Sequence, residues 1–411
     1  MFSGKRILIP LLLVIFLSAA IVSVALAIPD QTNDKIKMVI DGEAVTEGIE
    51  PIADGSTVLV PARTVCEYLG ADFEYSEIDG KVGIFLSDTT TELLPGAPYA
   101  DVNSGSIINL ESPPVKIGED IMLPLELVKI SFGAEVKYDE PAKTIYINYF
   151  SRMSGMLVMG GAPAFINISQ KAIDYLKNIN KDFDARVLGG GSAAGITACM
   201  NGEFDIANIT RELTAEEAQT NLTSYRTAKE GIAVVVNPKN PVNDLKMPEI
   251  CKIFEGKYMS WKTVGGNETP VFVNIQEAGS GTLNTFFDIA IMGYDEFGYL
   301  ARTAMPNASN GLVRQAVASE PLAVGFVTFS FLDKTVKAVS IGDIKPEEKS
   351  VLEKKWPLVN KLNVVTKGKA EGLKAKYINF LRSKKGRQII EEERLINLEL
   401  DTYRIDERLG F

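Results

Sequence analysis

The sequence predicts a two-part chain: a small α+β domain built from a tandem repeat, followed by a larger α/β domain. Three observations carry this. Residues 35–148 repeat at an offset of 63 residues; from Met156 the pattern changes to strand, Gly-rich turn and helix, and returns twice; and 411 residues exceed one hydrophobic core. A content of 46% hydrophobic and 23% charged residues is that of a globular protein, which removes disordered and multi-span membrane readings. The net charge of -10 gives no field that would draw nucleic acid, so an anionic ligand has to be held by local groups.

At the amino terminus, Lys5 and Arg6 precede an apolar run over residues 7–27 that ends in Ala25-Leu26-Ala27. A basic start, an apolar core and a small-residue end form an export signal. The run is about twenty residues long, enough to span a bilayer, so an uncleaved anchor is the alternative to a cleaved signal. No cysteine lies near its end, which excludes a lipid-modified cysteine there. The positive charge ahead of the run leaves the rest of the chain outside the cell, on the membrane face or secreted.

In the repeat, Val58-Leu59-Val60-Pro61-Ala62-Arg63 through Leu69-Gly70-Ala71 answers to Ile121-Met122-Leu123-Pro124-Leu125-Glu126 through Phe132-Gly133-Ala134. Each copy reads as a short strand, a helix opened by proline and closed by glycine, and further strands. Neither copy alone covers its sheet, so the two are expected to share a core. The pattern resembles the copper amine oxidase N-terminal-like domain over residues 35–149. The chain contains no histidine to hold copper, so the resemblance implies a spacer or wall-contact module. This domain and the fragment from residue 151 onward are each expected to fold alone.

In the second part, Met156 to Met159 is a strand, Gly160-Gly161-Ala162-Pro163 a turn, and Ile168, Ala172, Leu176 and Ile179 recur at helical spacing. Residues 185–188 then lead through Gly189-Gly190-Gly191-Ser192 to a helix with Ile196, Cys199 and Met200 on one face. Residues 270–275 lead through Gly279-Ser280-Gly281-Thr282 to a helix with core positions Leu283, Phe286, Phe287, Ala290 and Ile291. A strand feeding a Gly/Ser turn into a helix suits an oxyanion: the first amides lack acceptors, the dipole is positive there, and Ser or Thr adds a hydroxyl. Ser280 reads equally as a helix cap and Gly191 as a turn former.

Gly191-Ser192-Ala193-Ala194-Gly195-Ile196, Asp205-Ile206-Ala207-Asn208-Ile209-Thr210-Arg211 and Gly231-Ile232-Ala233-Val234-Val235-Val236-Asn237-Pro238 resemble the phosphate-binding proteins of bacterial phosphate ABC importers. So do Ile250-Cys251-Lys252-Ile253-Phe254-Glu255-Gly256-Lys257 with Trp261, the Gly279-Ser280-Gly281-Thr282 turn, and the tail from Tyr377 through Gly386 to Glu391. The likeness runs from residue 156 to about 400. It implies a type 2 periplasmic-binding-protein fold, two α/β lobes closing on a ligand. Lobe one is expected at residues 156–232 and 335–411 and lobe two at 233–334, with crossovers at 234–238 and 326–331.

The resemblance further implies ligand contacts from Ser192, Thr210 and the adjoining Arg211 in lobe one, and from Ser280, Gly281 and Thr282 in lobe two. Two positions depart from the family pattern. Gly161-Ala162-Pro163 has no hydroxyl and one amide fewer, and Gln276 stands where many members carry arginine. Arg211 is expected to supply the missing guanidinium, and Glu277 to accept the proton of monohydrogen phosphate. The run of charges from Arg382 to Arg394 reads as a solvated helix face.

The absence of histidine removes Ser-His-Asp and Cys-His nucleophile machinery and nearly every zinc, copper or non-haem iron site. Cys66, Cys199 and Cys251 are odd in number and far apart, so neither a disulfide framework nor a metal cluster is suggested. No cofactor, metal or catalytic residue is expected. The reading is an exported solute-binding protein that takes inorganic phosphate or a related oxyanion for an ABC importer. Its competitor is a cell-surface structural or adhesion protein whose binding fold has lost high affinity.

Overall fold

The computed structural model describes residues 35–54 and 57–398; the export segment lies outside them. Among the described residues no helix is long and apolar enough to cross a membrane.

The two repeats meet strand to strand. Thr57–Pro61 pairs antiparallel with Asp120–Pro124, with Val60 opposite Leu123 and Leu59 opposite Pro124. Val60 and Leu123 are equivalent positions of the repeat, so the pairing is symmetric about that point. Each strand ends at a proline that opens a helix, Ala62–Leu69 and Leu125–Phe132, and each helix stops at a left-handed glycine, Gly70 (φ 74°) and Gly133 (φ 61°). A second sheet joins Lys37–Ile40 in parallel to Thr144–Asn148, which pairs antiparallel with Glu135–Asp139. The first copy's hairpin, Asp72–Tyr75 with Val82–Phe85, grows into a five-stranded meander ending at Ser106–Asn109, an extension the repeat pattern does not signal.

The α/β part is organised on one long strand, Leu222–Val236. Residues 222–231 pair with Val359–Lys367, and residues 232–236 with Ala323–Thr328. Gly155–Gly161, Phe183–Leu188 and Ile206–Ile209 complete the first lobe's sheet, and Phe272–Gln276 and Met305–Asn307 the second's. The nearly continuous apolar run Ile232 to Val236 is fully buried, as a central strand covered on both faces requires.

The lobe boundaries expected from sequence need correction. Residues 335–358 belong to lobe two: Val351, Trp356 and Leu358 bury among Ile232, Val234 and Phe326, and the Trp356 Nε1–H donates to the Ile232 carbonyl at 3.0 Å. The crossings therefore fall at Gly231–Ile232 and Leu358–Val359. The segment 326–331 instead ends a lobe-two strand and turns along the cleft.

The charged run also differs from expectation. Arg382 forms an ion pair with Asp72 of the repeat domain, their side chains 14% and 3% exposed. Arg387 pairs with Glu67 at 3.1 Å and Lys384 with Glu47 at 3.0 Å. Beside them, the Ser87 amide donates to Asn379 Oδ1 at 3.0 Å, and the Ser87 hydroxyl to the Ala375 carbonyl at 3.1 Å. The Phe150 ring meets Phe380 edge-on at 5.2 Å. One hydrophobic core runs from Leu69, Val82 and Phe150 to Tyr377, Phe380 and Leu381. The helices Gly372–Arg382 and Lys384–Glu392 use both faces, so the repeat domain is packed onto lobe one rather than joined to it by a linker alone.

Candidate oxyanion-binding cleft

Two helix starts face each other between the lobes. The helix Ser192–Asn201 follows Gly191, whose φ of 87° only glycine adopts without strain. Opposite it, Gly281–Phe286 continues as a π-helix over Phe287–Met292 and is capped by Ser280, whose Oγ accepts from the Leu283 amide at 3.2 Å. A Cβ at Gly191 would lie 3.1 Å from the Gly279 carbonyl oxygen, and one at Gly281 would run into Thr210 Oγ1 and Ser192 Oγ. The lobes are thus closed on each other at glycines. Around this point lies a cleft of about 570 Å³, lined among others by Gly191, Thr210, Gln276, Glu277, Ser280, Gly281 and Thr282.

The hydrogen bonds decide which hydroxyls can donate. Ser192 Oγ accepts from the Thr210 amide at 3.2 Å, and Thr282 Oγ1 accepts from Asn360 Nδ2 at 3.1 Å. Each oxygen has a lone pair filled and its proton left over. Thr210 is buried, and its carbonyl accepts from the Thr285 hydroxyl at 3.3 Å, which fixes the strand end. The amides of Gly281 and Thr282, which the helix leaves without acceptors, line the cleft together with Thr210 and Thr282, whereas Ser192 is fully buried beside Gly281 and is not among the lining residues. Ser280 acts differently: its hydroxyl donates to Gln276 Oε1 and caps the helix, so its proton is used.

Gln276 is a relay. Its Nε2 donates to Asn310 Oδ1 at 2.7 Å, and the same oxygen accepts from the Thr328 amide at 3.1 Å. The chain Ser280–Gln276–Asn310–Thr328 holds the lobe-two wall, and Gln276 is 4% exposed.

Arg211 does not reach the cleft. Its Nη1 and Nη2 donate to the two oxygens of Glu217 at 2.6 and 2.8 Å, and Nη1 also to the Glu212 carbonyl at 2.8 Å. Glu217 belongs to a capping box with Thr214, which fixes its carboxylate beside the guanidinium. The Arg211 hydrogen bond holds the Glu217 carboxyl below its usual range. The expected guanidinium contribution is corrected accordingly: a bidentate pair has taken it. Among the cleft-lining residues Arg394 carries the positive charge, at the far rim with Glu392 and Glu393, which pair with Lys171 at 3.1 and 2.7 Å.

Sequence reasoning missed Asn310, Asn360 and Thr285, which hold the donors in place, and Ser330, which lines the cleft. Ser309-Asn310 ahead of an apolar-periodic stretch carries a helix-cap signal, and Ser309 does cap Asn310–Ser319, accepting from the Leu312 amide at 3.3 Å. Asn360 lies in a strand, Thr285 inside the helix Gly281–Phe286 and Ser330 in a short turn, and none of the three carries a local signal.

This fold and donor set define a two-lobe solute-binding protein of type 2. The PBP superfamily domain matches residues 143–385, and the copper amine oxidase N-terminal domain matches residues 39–147. The phosphate-binding protein PstS of Bacillus subtilis is 31% identical over 237 residues, 56% of this chain and 77% of that protein. Phosphate-binding protein PstS 2 of Streptococcus pneumoniae is 33% identical over 153 residues, 36% of this chain and 51% of that protein. A phosphate ABC transporter substrate-binding protein of Clostridium perfringens, solved with bound phosphate, superposes with a TM-score of 0.55 at 28% identity, covering 60% of this chain and all of that one. An ABC-type phosphate transport receptor of Vibrio cholerae gives 0.54 at 29%, covering 59% and all. The chain belongs to the PBP superfamily, within the family of bacterial phosphate-binding proteins.

Proposed function

We propose that this chain is an exported, non-enzymatic solute-binding protein that captures inorganic phosphate or a related oxyanion for an ABC importer. The observation that carries the reading is the convergence of Thr210 and Ser192 of lobe one with Gly281 and Thr282 of lobe two at glycine contacts between the lobes. Ligand touching both lobes favours the closed state by its differential affinity. Glu277, on the cleft wall, accepts the acid proton of a singly protonated anion. The importer permease is the membrane partner, and the repeat domain spaces the binding domain from the membrane face or contacts the wall.

Calorimetric titration of the full-length chain with phosphate tests this. Saturable binding is expected, weakened about 10- to 150-fold in Thr282→Val, the loss of about 1.5 to 3 kcal/mol typical of a hydrogen bond to a charged group. Absence of binding up to millimolar phosphate returns the surface-structural reading.

A further inference from the structure

Lobe one's first loop, Ala162-Pro163-Ala164, stands beside the donor set and offers it almost nothing. The Ala162 amide already donates to the Asn208 carbonyl at 2.8 Å, Pro163 has no amide, and the loop has no hydroxyl. Its position is fixed: a Cβ at Gly161 would run into the Asn208 backbone, and the Gly161 carbonyl accepts from the Gly191 amide at 2.9 Å. Asn208 is two residues from Thr210, so this wall borders the donors. The cleft lining also includes Ala162, Ala164, Phe331 and Leu395, with Asn167, Glu392, Glu393 and Arg394 in the same wall.

Orthophosphate presents four oxygens, and each buried oxygen left without a partner carries a desolvation cost. The hydroxyls of Thr210 and Thr282 and the helix-start amides serve the oxygens on their side. An oxygen turned to the Ala162–Ala164 wall meets one amide, that of Ala164 at the start of the helical segment, and otherwise carbon.

We propose that the preferred ligand is a phosphoryl group bearing one short organic substituent, a phosphonate or a phosphate monoester, with its substituent lying along Ala162, Ala164, Phe331 and Leu395. This rests on the oxyanion-binding reading above and narrows its ligand. Glu277 takes the acid proton of a singly protonated phosphonate as it does that of phosphate.

The test is competitive calorimetry on the full-length chain with orthophosphate, ethylphosphonate and ethyl phosphate. At least one substituted compound is expected to bind ten times more tightly than orthophosphate, and the ranking of the two identifies the linking atom. Ala164→Leu, which fills the wall, should weaken the substituted ligands at least tenfold and leave orthophosphate within threefold. Pro163→Ser, which restores an amide and a hydroxyl, should tighten orthophosphate. Orthophosphate binding as tightly as both substituted compounds overturns this inference and leaves the oxyanion reading standing. Failure of all three to bind overturns both.

Discussion

At the scale of single residues, the site works through which proton each hydroxyl has left after the protein has used its lone pairs. Thr282 accepts from Asn360 and keeps its proton at the cleft, Ser192 accepts from the Thr210 amide and so fixes that strand end, and Ser280 is consumed by its cap and by Gln276. Asn360→Leu should therefore weaken phosphate through Thr282 without touching the ligand, and Asn360→Asp should not rescue it, because a carboxylate cannot donate that bond. Titration of both variants beside Thr282→Val checks this. Arg211→Ala makes a second contrast. Because the guanidinium is bound to Glu217, the substitution should lower the melting temperature more than it changes affinity; removing one partner of this largely buried, bidentate pair costs about 1.5 to 3 kcal/mol. The residue types at the site were legible from the Gly-Ser and Ile-Thr motifs. Their bonding was not, since Thr282 meets Asn360 and Gln276 meets Asn310 across long stretches of sequence. The Thr214-x-x-Glu217 spacing does carry a capping-box signal, which places the Glu217 carboxylate at a helix start but does not name Arg211 as its partner.

At the scale of elements, closure rests on a glycine contact and on the strand that joins the lobes. A side chain at Gly281 would strike Thr210 and Ser192, so Gly281→Val should hold the lobes apart. Small-angle scattering should then show a phosphate-dependent decrease in radius of gyration in the wild type and none in the variant. Near the crossing, Glu230 is 1% exposed and accepts from the Ser330 amide and hydroxyl. Burial raises its carboxyl above the usual range, the Ser330 and Thr328 hydrogen bonds offsetting this in part. The folded state therefore holds the proton that the unfolded chain releases at about pH 4.3, so this group's contribution to stability is complete below that pH and is lost as pH rises through the raised value. Glu230→Gln should melt higher than wild type at about pH 8, with the difference shrinking toward about pH 4. A constant difference contradicts it. The helices themselves were visible in periodicity, but not every face was: Met200, placed on one face with Ile196 and Cys199, is 39% exposed, and Met292, which follows the core positions Ala290 and Ile291, is 41% exposed. In the second case the α-helix passes into a π-helix after Phe286, which rotates the following residues off the 3.6-residue count.

At the scale of the whole molecule, the repeat domain and lobe one share a core, with the Asp72–Arg382 pair sealed inside the joint. One cooperative melt is expected for both, and Asp72→Asn should lower it by about 3 to 5 kcal/mol in stability, the usual consequence of leaving one buried charge alone. Two separate transitions in scanning calorimetry contradict a common core. The sequence displayed the repeat and its symmetry plainly; the joint was hidden because the residues that make it, Glu67, Asp72, Arg382 and Arg387, read as ordinary surface charges until the fold places them opposite one another. Lobe two, by contrast, touches the donor set from the other side, and its docking is what a ligand stabilises. The most direct measurement of that claim is a crystal structure of the chain grown with phosphate. The account predicts the anion in the cleft, within hydrogen-bond reach of Thr210, Thr282 and the Gly281 amide. An anion bound elsewhere, or one held by lobe one alone with the lobes apart, contradicts it.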